Sequence, residues 1–280
     1  MVISRSLKAK VGFAELHCLS NYSFLSSASH PEELVEAAAQ KGYRAIALTD
    51  ECTYSGLVKA HIAAKKHAIK FIVGSEFRVS FGTSIHEKLV LLAPNRSAYG
   101  QLAAFISKLR MKSEKGNYSA QIDDFRIGLS HCFVLWIPSL SPISVLTQRG
   151  EQLKTMFPEF WIALELFRDG HDLDKTAHAL TLSMHLNTEI VASTDVRMHS
   201  RTRQPLKDLL KAIRKKTTVA KLEEGISQNS ERTFRDIDEL MTLYPAEAIQ
   251  ESVNIASRCS FSMDELDDLA IESMDDGTTL

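Results

Sequence analysis

The sequence predicts an α/β fold in the form of a distorted, closed or nearly closed β/α barrel with seven strands. Short apolar runs rich in β-branched and aromatic residues alternate with longer segments of helical periodicity, which is typical of strands joined by crossover helices. Hydrophobic residues make up 44% of the 280 residues, enough for a large buried core. Seven strands fit a barrel better than an open sheet, although periodicity alone also permits a doubly wound fold.

The elements alternate through the first two thirds of the chain. Seven strands are predicted, at residues 13–17, 45–49, 71–77, 89–93, 132–137, 160–166 and 189–192. Five crossover helices are predicted between them, at residues 31–41, 55–67, 97–112, 151–156 and 172–186. The first of these helices shows the clearest start signal, because Pro31 at the first helical position is followed by two acidic residues.

The last third of the sequence differs from the rest in composition and in the pattern of its elements. We assign residues 1–220 to the barrel domain, including a basic helix at 203–216. Residues 221–262 form a small C-terminal helical appendage, with a polar break at 221–229 and short helices at 236–244 and 246–258. Residues 263–280 are acidic and poor in aromatic residues, so we predict a disordered tail.

Composition excludes several classes of protein. A net charge of -2 gives no global attraction to nucleic acid, so any DNA contact must come from local clusters of Lys and Arg. The four cysteines form no C-x-x-C pair, which argues against a zinc knuckle or a secreted disulfide framework. The N-terminus lacks a signal peptide and no apolar run is long enough to cross a bilayer, so we expect a cytoplasmic protein without membrane contact.

Polar side chains follow several predicted strands, where a β/α barrel gathers its functional groups. His17 follows the first strand, Asp50 and Glu51 follow the second, Glu76 ends the third and Asp195 follows the seventh. Four carboxylates at one mouth repel one another unless positive charge lies among them. That charge comes either from divalent metal ions or from the protein's own Lys and Arg.

The sequence favours the second source of charge. Lys88 begins the fourth strand and Arg197 lies two residues beyond Asp195, so both are placed to meet the acids. Opposite unit charges about 4 Å apart attract by roughly 4 kcal/mol at an effective dielectric constant near 20. We therefore expect the acidic cluster to hold together without metal.

Six short segments carry a resemblance to a known family. They are residues 14–25 (AELHCLSNYSFL), 28–34 (ASHPEEL), 42–52 (GYRAIALTDEC), 73–77 (VGSEF), 89–95 (LVLLAPN) and 192–199 (ASTDVRMH). In this order they resemble the PHP (polymerase and histidinol phosphatase) domain of bacterial C-family DNA polymerases, the polymerase III alpha subunits. The likeness is greatest to the error-prone, mutagenesis-associated members and covers roughly residues 12–265. It implies a PHP-type distorted seven-stranded barrel.

The resemblance also implies a degenerate metal site. Of the family's ligand positions, four keep a residue that can ligate: His17, Glu76, Cys132 and Asp195. Five positions are changed: Leu19, Ser26, Glu51, Lys88 and Arg197. One family position between the fifth and seventh strands stays unplaced. Because Lys and Arg repel ions that ligands would hold, we expect no catalytic residues and no cofactor in this chain.

What the resemblance implies about function follows from these changes. The chain would be a structural N-terminal domain supporting error-prone DNA synthesis and translesion repair. Its partner would be the polymerase core of the full-length enzyme, with other mutagenesis proteins and DNA reached through that enzyme. The alternative is a metal-dependent phosphoesterase or 3′-5′ exonuclease acting on nucleotides or phosphate esters, with Zn or Mn as its cofactor.

Plainer interpretations stay open for single residues. His17 also suits an ordinary strand-end histidine, and Cys132 suits a small buried apolar residue. Asp50 and Glu51 could instead cap the helix that begins near Ser55. The basic helix could be a solvated face, or it could contact DNA or a partner protein through Arg203, Lys207, Lys211 and Arg214.

Overall fold

The computed structural model describes residues 12–82, 86–114, 116–222 and 229–266. Within these ranges the strands are β1 (Ala14–Cys18), β2 (Ala45–Leu48), β3 (Lys70–Ser80), β4 (His86–Leu92), β5 (Ala120–Gln121), β6 (Phe133–Ile137), β7 (Phe160–Glu165) and β8 (Ile190–Ser193). The helices are α1 (Pro31–Gln40), α2 (Leu57–His67), α3 (Arg96–Met111), α4 (Ile143–Met156), α5 (Asp172–Leu186), α6 (Gln204–Arg214), α7 (Ile237–Leu243) and α8 (Ala246–Arg258). The predicted α/β class is confirmed.

The strands form a nearly closed barrel in the order β1-β2-β3-β4-β6-β7-β8, and β5 pairs with the far end of β3. Closure between the first and last strands is partial. A single bridge joins Cys18 to Val196, where the Val196 carbonyl accepts from the Leu19 N–H at 2.9 Å. A doubly wound sheet is thereby excluded, and the seven predicted strands are all present.

One strand runs against the others. β4 pairs antiparallel with both β3 and β6, whereas β1, β2, β3, β6, β7 and β8 run in one direction. The reason is the short connection from Ser80 to His86, since a parallel crossover needs a dozen or more residues. A crossover helix between the third and fourth strands is therefore absent from the described residues, and the amino end of β4 lies at the same mouth as the carboxyl ends of its neighbours.

The barrel interior is apolar for most of its depth. Side chains alternate along each strand, so every second residue points inward. The inward set forms one buried cluster: Ala14, Leu16, Ala45, Ala47, Ile72, Val90, Leu92, Phe133, Leu135, Trp161, Ala163 and Val191. The same alternation continues to Glu76, Lys88 and Glu165, so a charged layer covers the apolar interior at the mouth.

Helix α8 belongs to the barrel core. Ile255, Ala256 and Cys259 pack within the interior cluster, and Ser252 Oγ accepts a hydrogen bond of 3.1 Å from the Ala14 N–H. The predicted helical appendage at 221–262 therefore contains a helix that is integral to the barrel. The domain boundary at residue 220 stays a prediction, and residues 223–228 of the predicted polar break lie outside the described residues.

The beginning of the predicted disordered tail is folded. Residues Met263–Leu266 form a short 3-10 turn, and Met263 packs against the main core. Asp264 accepts a hydrogen bond of 2.9 Å from Lys65 Nζ on α2. The rest of the tail, residues 267–280, lies outside the described residues. Among the helices that the structure describes, none is both long and apolar enough to span a membrane.

Candidate functional site

The charged layer at the barrel mouth gathers residues from five parts of the fold. His17 lies on β1, Glu76 on β3, Lys88 on β4 and Glu165 at the end of β7, and Asp195 follows β8. Lys88 reaches this mouth because β4 runs antiparallel, which brings its amino end beside the carboxyl ends of the other strands. The predicted convergence of polar side chains at the strand ends is thus observed for His17, Glu76, Lys88 and Asp195.

His17 is the centre of this layer. Its side chain is fully buried, with Nδ1 at 2.5 Å from Glu165 Oε1 and Nε2 at 2.7 Å from Glu76 Oε2. Burial alone would lower the pKa of His17, but Glu165 and Glu76 outweigh it and raise the pKa above 6.5. The protonated imidazolium form is therefore stabilised, because both ring nitrogens then donate to carboxylates.

Two cations predicted from the sequence reach the carboxylates. Lys88 Nζ lies 3.1 Å from Asp195 Oδ2 and 3.7 Å from Glu76 Oε2. Arg197 Nε donates to Asp195 Oδ1 at 2.9 Å, and its Nη2 lies 3.5 Å from Glu76 Oε2. Lys88 and Arg197 therefore share the same two acids, with side-chain nitrogens directly beside the oxygens that a metal would need.

A third cation was not anticipated from the sequence. Arg232 contacts Asp195 Oδ2 through Nη1, and its guanidinium lies 3.9 Å from the centre of the Phe167 ring. It belongs to the segment before α7, far along the chain from every strand end. Glu165 was missed too, although it ends an apolar run as Glu76 does and the same rule would have found it.

The electrostatic state of the acids follows from these neighbours. Burial would raise the pKa of Glu76, but Lys88, His17 and Arg197 hold it well below its usual value. Burial is likewise outweighed at Glu165, where His17 and Lys88 lower the pKa to about 2. Both carboxylates are thus ionised at neutral pH. Together with Asp195 they give three acids that face Lys88, Arg197 and Arg232.

The remaining question is whether a metal ion fits this arrangement. Ligand atoms of His17, Glu76 and Asp195 all lie within 4.8 Å of one another. Among the described residues, this is the group of His, Cys, Asp and Glu side chains that lie close enough together to hold a metal ion. A divalent ion about 4 Å from each of Lys88 and Arg197 would be repelled by roughly 8 kcal/mol per cation at an effective dielectric constant near 20. The site does not fit a metal centre as it stands.

Three of the positions that the resemblance predicts to be changed ligands make other contacts. Leu19 is a fully buried apolar residue, and the Ser26 hydroxyl accepts from Arg214 on α6. Glu51 has other partners: its Oε1 lies 3.0 Å from Arg78 Nε and accepts from the Tyr118 hydroxyl at 3.0 Å. None of these three joins the group formed by His17, Glu76 and Asp195.

Cys132 is also placed apart from the group. It directly precedes β6, and so lies at the amino end of that strand, whereas the charged layer lies at the carboxyl ends. Its thiol donates weakly to the Ala98 carbonyl at 3.8 Å, and burial raises its pKa to about 12. A role as a metal ligand beside His17 does not fit this position; the small buried apolar residue is the interpretation that does.

The structure gives Asp50 a role in a turn, which the sequence did not predict. Its carboxylate accepts hydrogen bonds from the Ser20 N–H at 2.8 Å, the Ser20 hydroxyl at 2.6 Å and the Ser23 hydroxyl at 2.7 Å. It does not cap α2, whose N-cap position is Gly56 without a side-chain hydrogen bond. Asp50 therefore fixes the turn that follows β1.

The basic helix contributes to a cavity above the charged layer. Lys207, Lys211 and Arg214 on α6 line a space of about 520 Å³. Arg203, the fourth residue predicted for DNA or partner contact, instead donates to Glu33 on α1 at 2.7 Å.

Comparison with known proteins identifies the family to which part of the sequence belongs. Residues 15–138 match the sequence model of the PHP domain. These residues belong to the PHP domain family. This PHP chain is 45% identical over 260 residues to an error-prone DNA polymerase of Dechloromonas aromatica, covering 91% of the chain and 25% of that polymerase. It is 46% identical over 262 residues to an error-prone DNA polymerase of Methylococcus capsulatus, covering 92% of the chain and 24% of that polymerase.

The family predicted from the sequence is thus confirmed. The PHP chain spans about a quarter of the length of the curated relatives it matches. Among solved structures it resembles an amidohydrolase of Chromobacterium violaceum, with a TM-score of 0.55 and 15% identity over 67% of this chain and 88% of that one. It also resembles a protein of Bifidobacterium adolescentis described as a metal-dependent phosphoesterase, with a TM-score of 0.51 and 13% identity over 83% and 95% of the two chains. These structural likenesses concern the fold alone.

Proposed function

We propose that this chain is the PHP domain of an error-prone DNA polymerase, and that it serves as a non-catalytic structural module there. In the complete enzyme it would support error-prone DNA synthesis and translesion repair in the cytoplasm. The supporting observation is the contact of Lys88, Arg197 and Arg232 with the same carboxylate of Asp195. These cations compensate the charge of the carboxylates, as metal ions would in a phosphoesterase site, but unlike metal ions they do not activate a water molecule.

A barrel that catalyses no reaction can still serve as a structural scaffold. The ion network joins β1, β3, β4 and β7 to the segments that carry Asp195 and Arg232, so it ties the mouth of the barrel together. A buried network with each charge compensated resists opening, because removing one member leaves another buried charge without compensation. We propose that this rigid barrel supports the polymerase core of the complete enzyme.

Helix α6 suggests where that core would dock. Its buried residues include the charged Lys207 and Asp208, whereas Leu206, Leu209 and Ile213 are 36%, 48% and 52% exposed. The spacing of these three apolar residues places them on one helical face. This outward apolar face is the reverse of the usual arrangement, and a covered protein interface explains it better than solvent does. Other mutagenesis proteins and DNA would be reached through the complete polymerase.

The main test measures metal and turnover together. The purified chain is analysed by inductively coupled plasma mass spectrometry after exposure to manganese and to zinc, and is then assayed with a generic phosphate ester. We expect less than stoichiometric metal and no turnover, and an unchanged melting temperature in chelator. Stoichiometric metal with turnover that is lost in Asp195→Asn would overturn the structural role.

The docking face has its own test in the complete polymerase. We expect Leu209→Ser with Ile213→Ser to lower the melting temperature of the whole enzyme while leaving the isolated domain unchanged. Leu173→Ser is the control, since Leu173 is 86% exposed and lies on a different helix, α5. Equal effects of the pair and the control would remove α6 from the proposed interface.

The alternative function is a metal-dependent phosphoesterase. It is favoured by the closeness of His17, Glu76 and Asp195 and by a Glu76 Oε1 atom that has no hydrogen-bond partner. The solved protein described as a metal-dependent phosphoesterase has the same type of barrel. If this alternative holds, Zn or Mn is the cofactor, and the metal analysis above distinguishes the two functions.

A further inference from the structure

A cavity of about 520 Å³ opens directly above the charged layer, between the barrel mouth and α6. Eight of its ten lining residues are Lys or Arg; the other two are Leu25 and Ser26. The eight are Arg78, Lys88, Arg197, Lys207, Lys211, Arg214, Lys215 and Arg232. We name this space the basic cavity. Its volume falls within the range of about 300–1,000 Å³ that holds drug-sized or nucleotide-sized ligands.

The cations of the basic cavity come from five separate parts of the fold, one of which is the segment after β8 that carries Arg197. Arg78 lies on β3, Lys88 on β4, Lys211 on α6 and Arg232 before α7. A solvated basic helix would not need the other four parts to face the same space. Convergence of this kind resembles a built binding site more than a run of charge on one surface helix.

In the part of the chain that the structure describes, the carboxylates nearest the cavity are Asp208 on α6 and acids at the floor and the edge of the cavity. Asp195 and Glu76 are fully buried beneath it, and Glu51 holds Arg78 at one side. Arg214 donates to the uncharged Ser26 hydroxyl. The guanidinium of Arg197 has its Nε and Nη2 on Asp195, in the layer between the acids and the cavity. Positive charge therefore faces the open space, and negative charge lies below it.

Two lysines of the basic cavity have lowered pKa values, mainly because they are buried and in part because other cations lie near them. Burial, and then repulsion by Arg197, lowers the pKa of Lys207 to about 8, although Asp208 opposes this shift. Burial and repulsion by Lys215 and Arg197 lower the pKa of Lys211 as well. An anion entering the cavity would favour the charged form of both lysines, so its binding would be accompanied by proton uptake at a pH near the pKa of Lys207.

We propose that the basic cavity is a metal-independent binding site for a phosphate-rich anion of nucleotide size. Guanidinium groups match phosphate oxygens with paired, charge-assisted hydrogen bonds, and Arg78, Arg214 and Arg232 can approach one ligand from different sides. Because Lys88, Arg197 and Arg232 contact the carboxylate that would otherwise help to hold a metal ion, the proposal is one of binding without hydrolysis. This inference goes beyond the scaffold role, because it assigns a ligand to the space above the ion network.

The phosphate groups could belong to a free nucleotide or to the end of a single DNA strand, and the experiment separates the two. Isothermal titration calorimetry is performed on the purified chain in EDTA, with inorganic tripolyphosphate, with a single-stranded thymidine oligonucleotide and with citrate. We expect saturable binding of tripolyphosphate, and binding of the oligonucleotide as well if a strand end can enter. Citrate, which carries negative charge without phosphate, should bind far more weakly.

The variant for this test is Lys211→Gln with Arg214→Gln, which should weaken tripolyphosphate binding by about tenfold or more. The matched control is Lys66→Gln with Lys108→Gln, two exposed helical positions that make the same change in net charge. Melting temperatures of both variants verify that they fold. Binding that is absent, equal for citrate, equally weakened by the control or dependent on added metal would overturn the proposal. Metal dependence alone would also count against the scaffold role.

Discussion

Lys88 offers the sharpest test of the ion network. Its Nζ lies 3.1 Å from Asp195 and 3.7 Å from Glu76, and its side chain is 26% exposed. At an effective dielectric constant near 20 these two attractions amount to about 5 and about 4 kcal/mol. Much of that energy offsets the desolvation of the ammonium group, so the net loss on removing it is smaller. Removing one partner of a buried pair costs about 3–5 kcal/mol, and the partial exposure of Lys88 places it near 3 kcal/mol.

Lys88→Met removes the charge and keeps an unbranched side chain. Its free energy of unfolding is measured by urea titration, with the fluorescence of the two buried tryptophans as the signal. Lys112→Met is the matched control, because Lys112 is 38% exposed and pairs with Asp124 at 2.6 Å on the surface. We expect the control to cost less than about 1 kcal/mol.

A double variant isolates the interaction itself. In a Glu76→Gln background, Lys88→Met should cost less than in the parent, because one of its two carboxylate partners is already neutral. A loss from Lys88→Met no greater than that of Lys112→Met would refute the reasoning. The reasoning would also be refuted if the losses in free energy of unfolding from Lys88→Met and Glu76→Gln simply added in the double variant, because additivity means that Lys88 and Glu76 do not interact.

Three further outcomes follow from the structure. Glu165 has a pKa of about 2 in the folded protein, against an ordinary value of 4.5. Its contribution to the free energy of unfolding, about 3 kcal/mol, is therefore complete above pH 4.5 and is lost as the pH falls towards 2. Glu165→Gln should reduce the loss of stability at acid pH when urea unfolding is measured from about pH 7 downwards. Ile255→Ala on α8 should lower the free energy of unfolding by about 2–5 kcal/mol, because the side chain fills the barrel interior; a loss below 1 kcal/mol would mean that α8 is peripheral. Gly150→Ala should lower the melting temperature, because the new Cβ would lie 2.5 Å from Leu186 Cδ1, whereas Gly100→Ala meets nothing within 4 Å and should raise it.

Much of the fold was accessible from the sequence because it depends on local pattern. Each of the seven predicted apolar runs became a strand, since burial on both faces requires continuous apolar residues. The antiparallel direction of β4 was missed, although the short link from Ser80 to His86 implies it. Helix α4 begins at Ile143, eight residues before the predicted start at 151, and its N-cap position is Pro142.

The site was predicted in part, for a different reason. His17, Glu76, Lys88, Asp195 and Arg197 were found because they lie at or near strand ends, a position that sequence reveals. Arg232 follows a segment with no strand pattern, so only the folded chain brings it to Asp195. Cys132 was assigned by family position, although it precedes its strand and the rule of strand ends would have excluded it.

The charge balance of the barrel mouth explains why Lys88 and Arg197 are stable there. Glu76, Glu165 and Asp195 are buried carboxylates, and an ionised acid in such a place is strongly destabilising without a positive partner. If imidazole ligands and their ions were replaced by apolar residues throughout, these acids would have to take up protons. The low pKa values of Glu76 and Glu165 indicate the opposite, with cations supplied by the chain itself. Leu19 can be apolar because it lies in the packed core, whereas Lys88 and Arg197 face the acids directly. Whether each of these positions is apolar or charged is therefore set by what its side chain contacts.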